Sequence, residues 1–289
     1  MRGSLVPMRN RNVCLTLVAG VLALLMGLAA PAHANVTAPE VHGRAAILMD
    51  ATSGAVLFQK GATARMPIAS LTKTMTAYLV LKSAKPADLV EIEPEDVRYA
   101  EDGGGTTADL RAGDRLPVGE LLYGLMLPSG ADAAHALART YGPGVPAFVA
   151  KMNAAARALG MNDTEYVNAD GLPTDRGDGW STARDQAVLA AAALRDPLIE
   201  RVASTRGHDV AATRDHRAYS WTNTNKLLGT PGAIGLKTGF TRAAGFSLAF
   251  AGERDGRRLV GVLLGETVSS RRFTTAEALL SWGASRSDA

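Results

Sequence analysis

The sequence predicts an α+β fold: an antiparallel β-sheet flanked by helices, with strands drawn from both ends of the chain and a mostly helical insertion between them. Three observations predict it. A hairpin pattern stands near the front, three strand-like runs stand near the back, and the stretch between them (about 84–185) has helical spacing. At the front, Ala45-Ala46-Ile47-Leu48-Met49-Asp50 reads as a strand. The turn-like Ala51-Thr52-Ser53-Gly54 and the return run Ala55-Val56-Leu57-Phe58 complete a hairpin. From Ser70 to about Lys82, Leu71, Met75, Tyr78 and Leu79 recur at helical spacings of three and four. In the middle, 118–123, 131–140, 145–159 and 182–194 read as helices, with Pro117 suited to a first turn. Gly103-Gly104-Gly105 is a loop without the Gly-Lys-Ser/Thr ending of a phosphate-binding loop. At the back, 233–237, 246–252 and 258–264 read as strands, with Glu253-Arg254-Asp255-Gly256 turning between the last two, and 271–282 reads as a closing helix.

The N-terminus reads as a secretory signal peptide, residues 1–34, leaving residues 35–289 as one catalytic domain. Arg2, Arg9 and Arg11 form a basic region, an apolar run spans Leu15–Ala30, and Ala32-His33-Ala34 is a small-x-small cleavage pattern. Met8 is an alternative translation start. The leader carries three of the 31 basic residues and none of the 28 acidic ones, so the mature chain is formally neutral. That leaves no electrostatic footprint for nucleic acid. The only cysteine, Cys14, leaves with the leader, which removes disulfide and thiol chemistry. No second apolar run approaches membrane-spanning length. An exported protein is expected, soluble in the periplasm or secreted, with no transmembrane anchor after cleavage.

Two short motifs carry chemistry. Ser70-Leu71-Thr72-Lys73 places a hydroxyl and an amine three residues apart, on one face of a helix and within reach for proton transfer. The positive field of a helix N-terminus favours a developing alkoxide and a neutral amine. Lys237-Thr238-Gly239 closes a strand pattern that runs Ala233-Ile234-Gly235-Leu236-Lys237-Thr238-Gly239. The lysine offers a charge to a carboxylate, the threonine a hydrogen bond, and the glycine room for a substrate backbone. Of the seven lysines after residue 34, two fall in these motifs. No His/Asp/Glu group has metal-ligand spacing, so neither metal nor cofactor is expected.

Between the motifs stands Pro128-Ser129-Gly130-Ala131-Asp132. Ser-x-x-Lys, Ser-x-Asn and Lys-Thr-Gly in that order are the signature set of penicillin-binding proteins and serine β-lactamases. The flanks, among them Met66-Pro67-Ile68-Ala69 and Glu120-Leu121-Leu122-Tyr123-Gly124-Leu125-Met126-Leu127, resemble the D-alanyl-D-alanine carboxypeptidase branch over about residues 40–283. The resemblance implies the penicillin-binding/β-lactamase-like transpeptidase fold. It implies that Ser70 attacks the terminal D-Ala-D-Ala bond of peptidoglycan stem peptides, Lys73 is its base, and Ser129 relays a proton to the leaving amine. It further implies that Lys237 and Thr238 hold the substrate carboxylate, that Gly239 lets the substrate approach, and that the amides of Ser70 and Phe240 form the oxyanion hole. β-Lactams would acylate Ser70.

The sequence departs from that pattern at Ala131, where the family has an asparagine that contacts the lysine and the substrate. A weak or non-catalytic penicillin-binding protein is therefore an alternative, with endopeptidase, transpeptidase and β-lactamase as minor ones. A restored amide in Ala131→Asn is expected to raise acylation. The adjacent Asp132 points in another direction on a helix and is a doubtful substitute. Glu165 lacks the spacing of a β-lactamase deacylation glutamate, and His42, His135, His208 and His216 stand in no nucleophile-elbow context.

Overall fold

The computed structural model of the chain describes Met1, Gly3, residues 37–175 and residues 177–286. The expected leader lies, but for Met1 and Gly3, outside the described residues. The strands run in chain order β1 Ala45–Asp50, β2 Val56–Lys60, β3 Leu89–Glu91, β4 Arg115–Pro117, β5 Gly207–Val210, β6 Tyr219–Thr222, β7 Ala233–Thr241, β8 Gly245–Arg254 and β9 Arg257–Glu266. Five of them form one antiparallel sheet in the order β2-β1-β9-β8-β7.

Period-two alternation buries this sheet on both faces. Ile47, Val260, Val262, Ala249 and Ala251 pack into a large core with the helices at Thr72–Ser83, Val118–Met126, Ala131–Tyr141 and Ala183–Ala193. Ala46, Leu48, Leu248, Phe250, Leu259 and Leu263 face the other way, onto Phe273, Ala276, Leu279 and Leu280 of the Arg271–Ser285 helix. Gly261 stands opposite Phe250, and a Cβ there would lie 2.2 Å from its ring, so only glycine fits.

The sheet and helices agree with the expected α+β class. Strands at the back extend further than their sequence pattern, and β7 carries the Lys237-Thr238-Gly239 motif as expected and continues to Thr241. Several elements have no counterpart in the sequence reading: the helices Pro94–Asp102 and Pro197–Ser204 and the two-stranded pairs β3–β4 and β5–β6. Three- and four-residue strands are too short to show a period. The Pro94–Asp102 helix is declared instead by its ends: Glu93 and Asp96 form a reciprocal capping box, and Pro94 opens the first turn.

Candidate active site

Ser70 sits in a single 3-10 turn, Ala69–Leu71, that feeds directly into the Thr72–Ser83 helix. The turn is strained: Ala69 has φ +49°, a region costly for a residue with a Cβ. It is wedged between two neighbours. A Cβ on Gly171 would lie 1.9 Å from the Ala69 carbonyl oxygen, and one on Gly239 would lie 2.9 Å from Ile68 O and 3.3 Å from Ser70 N. Glycine at 239 thus lets the β7 edge press against the serine's own backbone.

Lys73 is 1% exposed and points back along its helix to Ser70. Its Nζ donates to Ser70 Oγ at 3.2 Å and to the main-chain oxygen of Asp170 at 3.0 Å. Burial in this low-dielectric position pulls its pKa down to about 8, against the opposing pull of the Asp170 and Asp132 charges. Of the two causes expected for a depressed Lys73, positive surroundings and burial, burial leads. Lys237 is equally buried, and its pKa is held well below the ordinary value by desolvation, helped by Lys73 and Arg272.

Ser129 follows the Val118–Met126 helix in a second strained position, φ +71°. Its carbonyl accepts from Thr106 Oγ1 at 2.8 Å, while its buried Oγ has no hydrogen-bond partner among the described residues. An unpaired buried hydroxyl costs free energy that a substrate group can recover. Thr224 ties this loop to the β7 edge: its amide donates to Leu127 O at 3.1 Å and its hydroxyl meets Thr238 Oγ1 at 2.7 Å.

Ser70, Lys73, Ser129, Thr238, Gly239 and Phe240 all line one cleft of ≈ 290 Å³. Lys237 does not reach that wall; it lies behind it, with Nζ donating to Thr238 O at 3.0 Å. Besides Lys73 the wall carries Arg272, which the sequence motifs do not mark. Its guanidinium donates to Gly239 O at 3.0 Å and Ser247 O at 3.2 Å, and lies over the rings of Phe246 and Phe273. Burial lowers its pKa only to about 10, so it keeps its charge. No local pattern marks it, because it comes from the far helix, folded across the sheet. Gly104, Gly105, Thr106, Leu172 and Thr224 complete the lining.

Ala131 does not open into the cleft. It is 0% exposed, and its methyl lies 3.1 Å from where a Cβ on Gly105 would stand; Leu172 closes over the same glycine. An amide at 131 would start from this fully buried position, next to Gly105 of the cleft lining. Asp132 is committed elsewhere, accepting from the amides of Ala108 at 2.8 Å and Leu110 at 3.0 Å.

Glu165 bridges to Trp180 and does not line the cleft. None of the four described histidines lines it either. His135 pairs with Asp96 at 2.7 Å, and His208 with Glu120 at 2.6 Å. Among the described residues no group of three or more His, Cys, Asp or Glu could hold a metal ion, and no helix is long and apolar enough to cross a membrane.

A sheet with helices on both faces, and a serine and a buried lysine at the mouth of a cleft beside an edge strand, define the class as a serine acyl-transfer hydrolase of the DD-peptidase fold. The crystal structure of the Streptomyces K15 DD-transpeptidase superposes with a TM-score of 0.81 at 34% identity, covering 86% of this chain and 99% of that one. The family model for D-alanyl-D-alanine carboxypeptidases (peptidase S11) matches residues 32–268. The D-alanyl-D-alanine carboxypeptidase of Streptomyces sp. (strain K15) is 36% identical over 96% of this chain and 99% of its own length. DacC of Escherichia coli (strain K12) is 34% identical over 87% of this chain, which spans only 64% of that relative. The chain belongs to the D-alanyl-D-alanine carboxypeptidase family of serine peptidases.

Proposed function

We propose that this protein removes the terminal D-Ala from peptidoglycan stem peptides through an acyl-enzyme on Ser70, and that β-lactams acylate the same serine. The observation that carries the reading is the convergence on one cleft of the Ser70–Lys73 pair, the unpartnered Ser129 hydroxyl and the Thr238-Gly239-Phe240 edge. Neutral Lys73 accepts the Ser70 proton as Oγ attacks the carbonyl carbon. The amides of Ser70 and Phe240 receive the developing oxyanion. Ser129 relays the proton held by Lys73 to the departing D-Ala amine, which restores neutral Lys73, and water then cleaves the ester. Thr238 and Arg272 receive the substrate carboxylate, with Lys237 behind them shaping the field. On this reading residues 1–34 are a signal peptide, residues 35–289 the catalytic domain, and the enzyme acts after export, in the periplasm or outside the cell.

The test is release of free D-Ala from a pentapeptide ending in D-Ala-D-Ala, alongside labelling by a fluorescent penicillin. Wild type should do both, and Ser70→Ala should do neither while keeping its melting temperature. Labelling that persists in Ser70→Ala removes that serine from the role. Labelling without D-Ala release would favour a binding protein over a carboxypeptidase.

A further inference from the structure

With an alanine in the motif's third position, the base needs another partner, and the structure supplies one. Beyond Ser70, Lys73 Nζ meets the main-chain oxygen of Asp170. The segment carrying that oxygen is fixed from several sides. Thr76 Oγ1 donates to Ala169 O at 2.6 Å. The Asn168 side chain accepts from Gly171 N and donates to Leu172 O, both at 2.7 Å. Gly171, with φ +83°, lies so close to Ala69 O that no side chain would fit. The carbonyl is thereby held to the same turn that carries Ser70.

The Asp170 side chain is 1% exposed, a costly place for a carboxylate unless its oxygens are engaged. One oxygen accepts from Leu172 N at 2.6 Å, and the Tyr99 hydroxyl lies against the same carboxylate. Tyr99 is in turn stacked on His135, ring centroids 4.5 Å apart, and His135 is fixed by Asp96. His135 stands one helical turn after Ala131, so this brace starts from the helix that lacks the asparagine.

We propose that Asp170 is the positioning residue for Lys73 in this enzyme, its carbonyl holding the amine and its tethered charge setting how readily the amine gives up its proton, in place of the absent asparagine. This rests on Lys73 being the base. The other charges facing Lys73 are Asp132, from the Ala131–Tyr141 helix, and Lys237, from β7, with Arg272 behind Lys237. Asp132 is anchored on backbone amides and Lys237 on a backbone carbonyl, so neither takes the same place.

The experiment is the pH profile of acylation by one β-lactam, with melting temperatures, in wild type, Lys73→Ala, Asp170→Asn and Tyr99→Phe. Asparagine at 170 keeps an oxygen for the Leu172 hydrogen bond and removes the charge, while its NH2 turns the Tyr99 hydroxyl from donor to acceptor. Lys73 should then lose its proton more easily, and the rising limb should move down by about 1 pH unit. Tyr99→Phe keeps the stack and strips a donor from the carboxylate, so its limb should move up, by less. Opposite displacements are not what loosened packing produces. A limb in Asp170→Asn that stays put or rises, at unchanged melting temperature, overturns the proposal while leaving Lys73 as base. If Asp170→Asn does not fold, a Tyr99→Phe limb that stays put or falls overturns it. Normal acylation in Lys73→Ala overturns both readings together.

Discussion

Lys73 Nζ stands 3.2 Å from Ser70 Oγ, and almost no water reaches it. The distance is within direct proton transfer, and the dryness is what makes the amine a usable base near neutrality.

Acylation should therefore rise with pH along a limb centred near pH 8, the value to which burial brings Lys73. Below it the amine is protonated and cannot accept from Ser70; above it the rate should level off. Stopped-flow acylation by a β-lactam from pH 6 to 10 reads this directly. A limb near the ordinary lysine value, with no inflection around 8, would contradict the assignment.

The same dryness has a cost to folding. With a folded-state pKa of about 8 against 10.5 unfolded, the unfolded chain binds more protons between those values. Stability from this group therefore rises with pH through that window, and the whole penalty is present below it. The penalty is about 3 kcal/mol. Lys73→Met should be inactive yet melt higher at pH 6 by about 5 °C, with the gap to wild type narrowing by pH 10. A lower melting temperature at pH 6 refutes this.

Ala131→Asn should not improve the enzyme. The methyl is fully buried beside Gly105, so three extra heavy atoms must displace neighbours at a cost of about 1–3 kcal/mol. The expected result is a lower melting temperature with acylation equal to or below wild type. The double variant Ala131→Asn with Leu172→Ala should recover part of the stability lost by the single one. Faster acylation at an unchanged melting temperature would show instead that the pocket accepts the amide.

Arg272→Gln should act on binding of the carboxylate. Charge-assisted hydrogen bonds contribute about 1.5–3 kcal/mol, so KM for a D-Ala-D-Ala peptide should rise roughly ten- to a hundredfold. A substrate amidated at its C-terminus should lose far less. Equal losses for both substrates would make Arg272 a scaffold for Gly239 and Ser247, not a recognition group.

Local patterns made the sheet ends and the long helices legible, and Ser70–Lys73 and Lys237–Gly239 are contiguous runs whose residue types suggest chemistry, while the roles of Ser129 and Phe240 came only from the family resemblance. What stayed hidden is assembled across the fold. Arg272 reaches the cleft only because its helix crosses the sheet. Asp170 matters through a main-chain oxygen, which no residue type announces. The crowding at Ala131 depends on Gly105 and Leu172, from two other segments. The depth of Lys237 behind the wall is a product of packing as well.

The sheet order β2-β1-β9-β8-β7 has a consequence for timing. The first strand is completed only by β9, and the Lys-Thr-Gly edge is anchored to it through β8. A nascent chain that already holds Ser70, Lys73 and Ser129 therefore has no cleft, since the opposite wall at Thr238–Phe240 emerges about 170 residues after the nucleophile and Arg272 about 200 after it. Such long-range pairing folds late and as a unit. Until β7 to β9 are made, Ser70 therefore has no edge strand against which a substrate could be held.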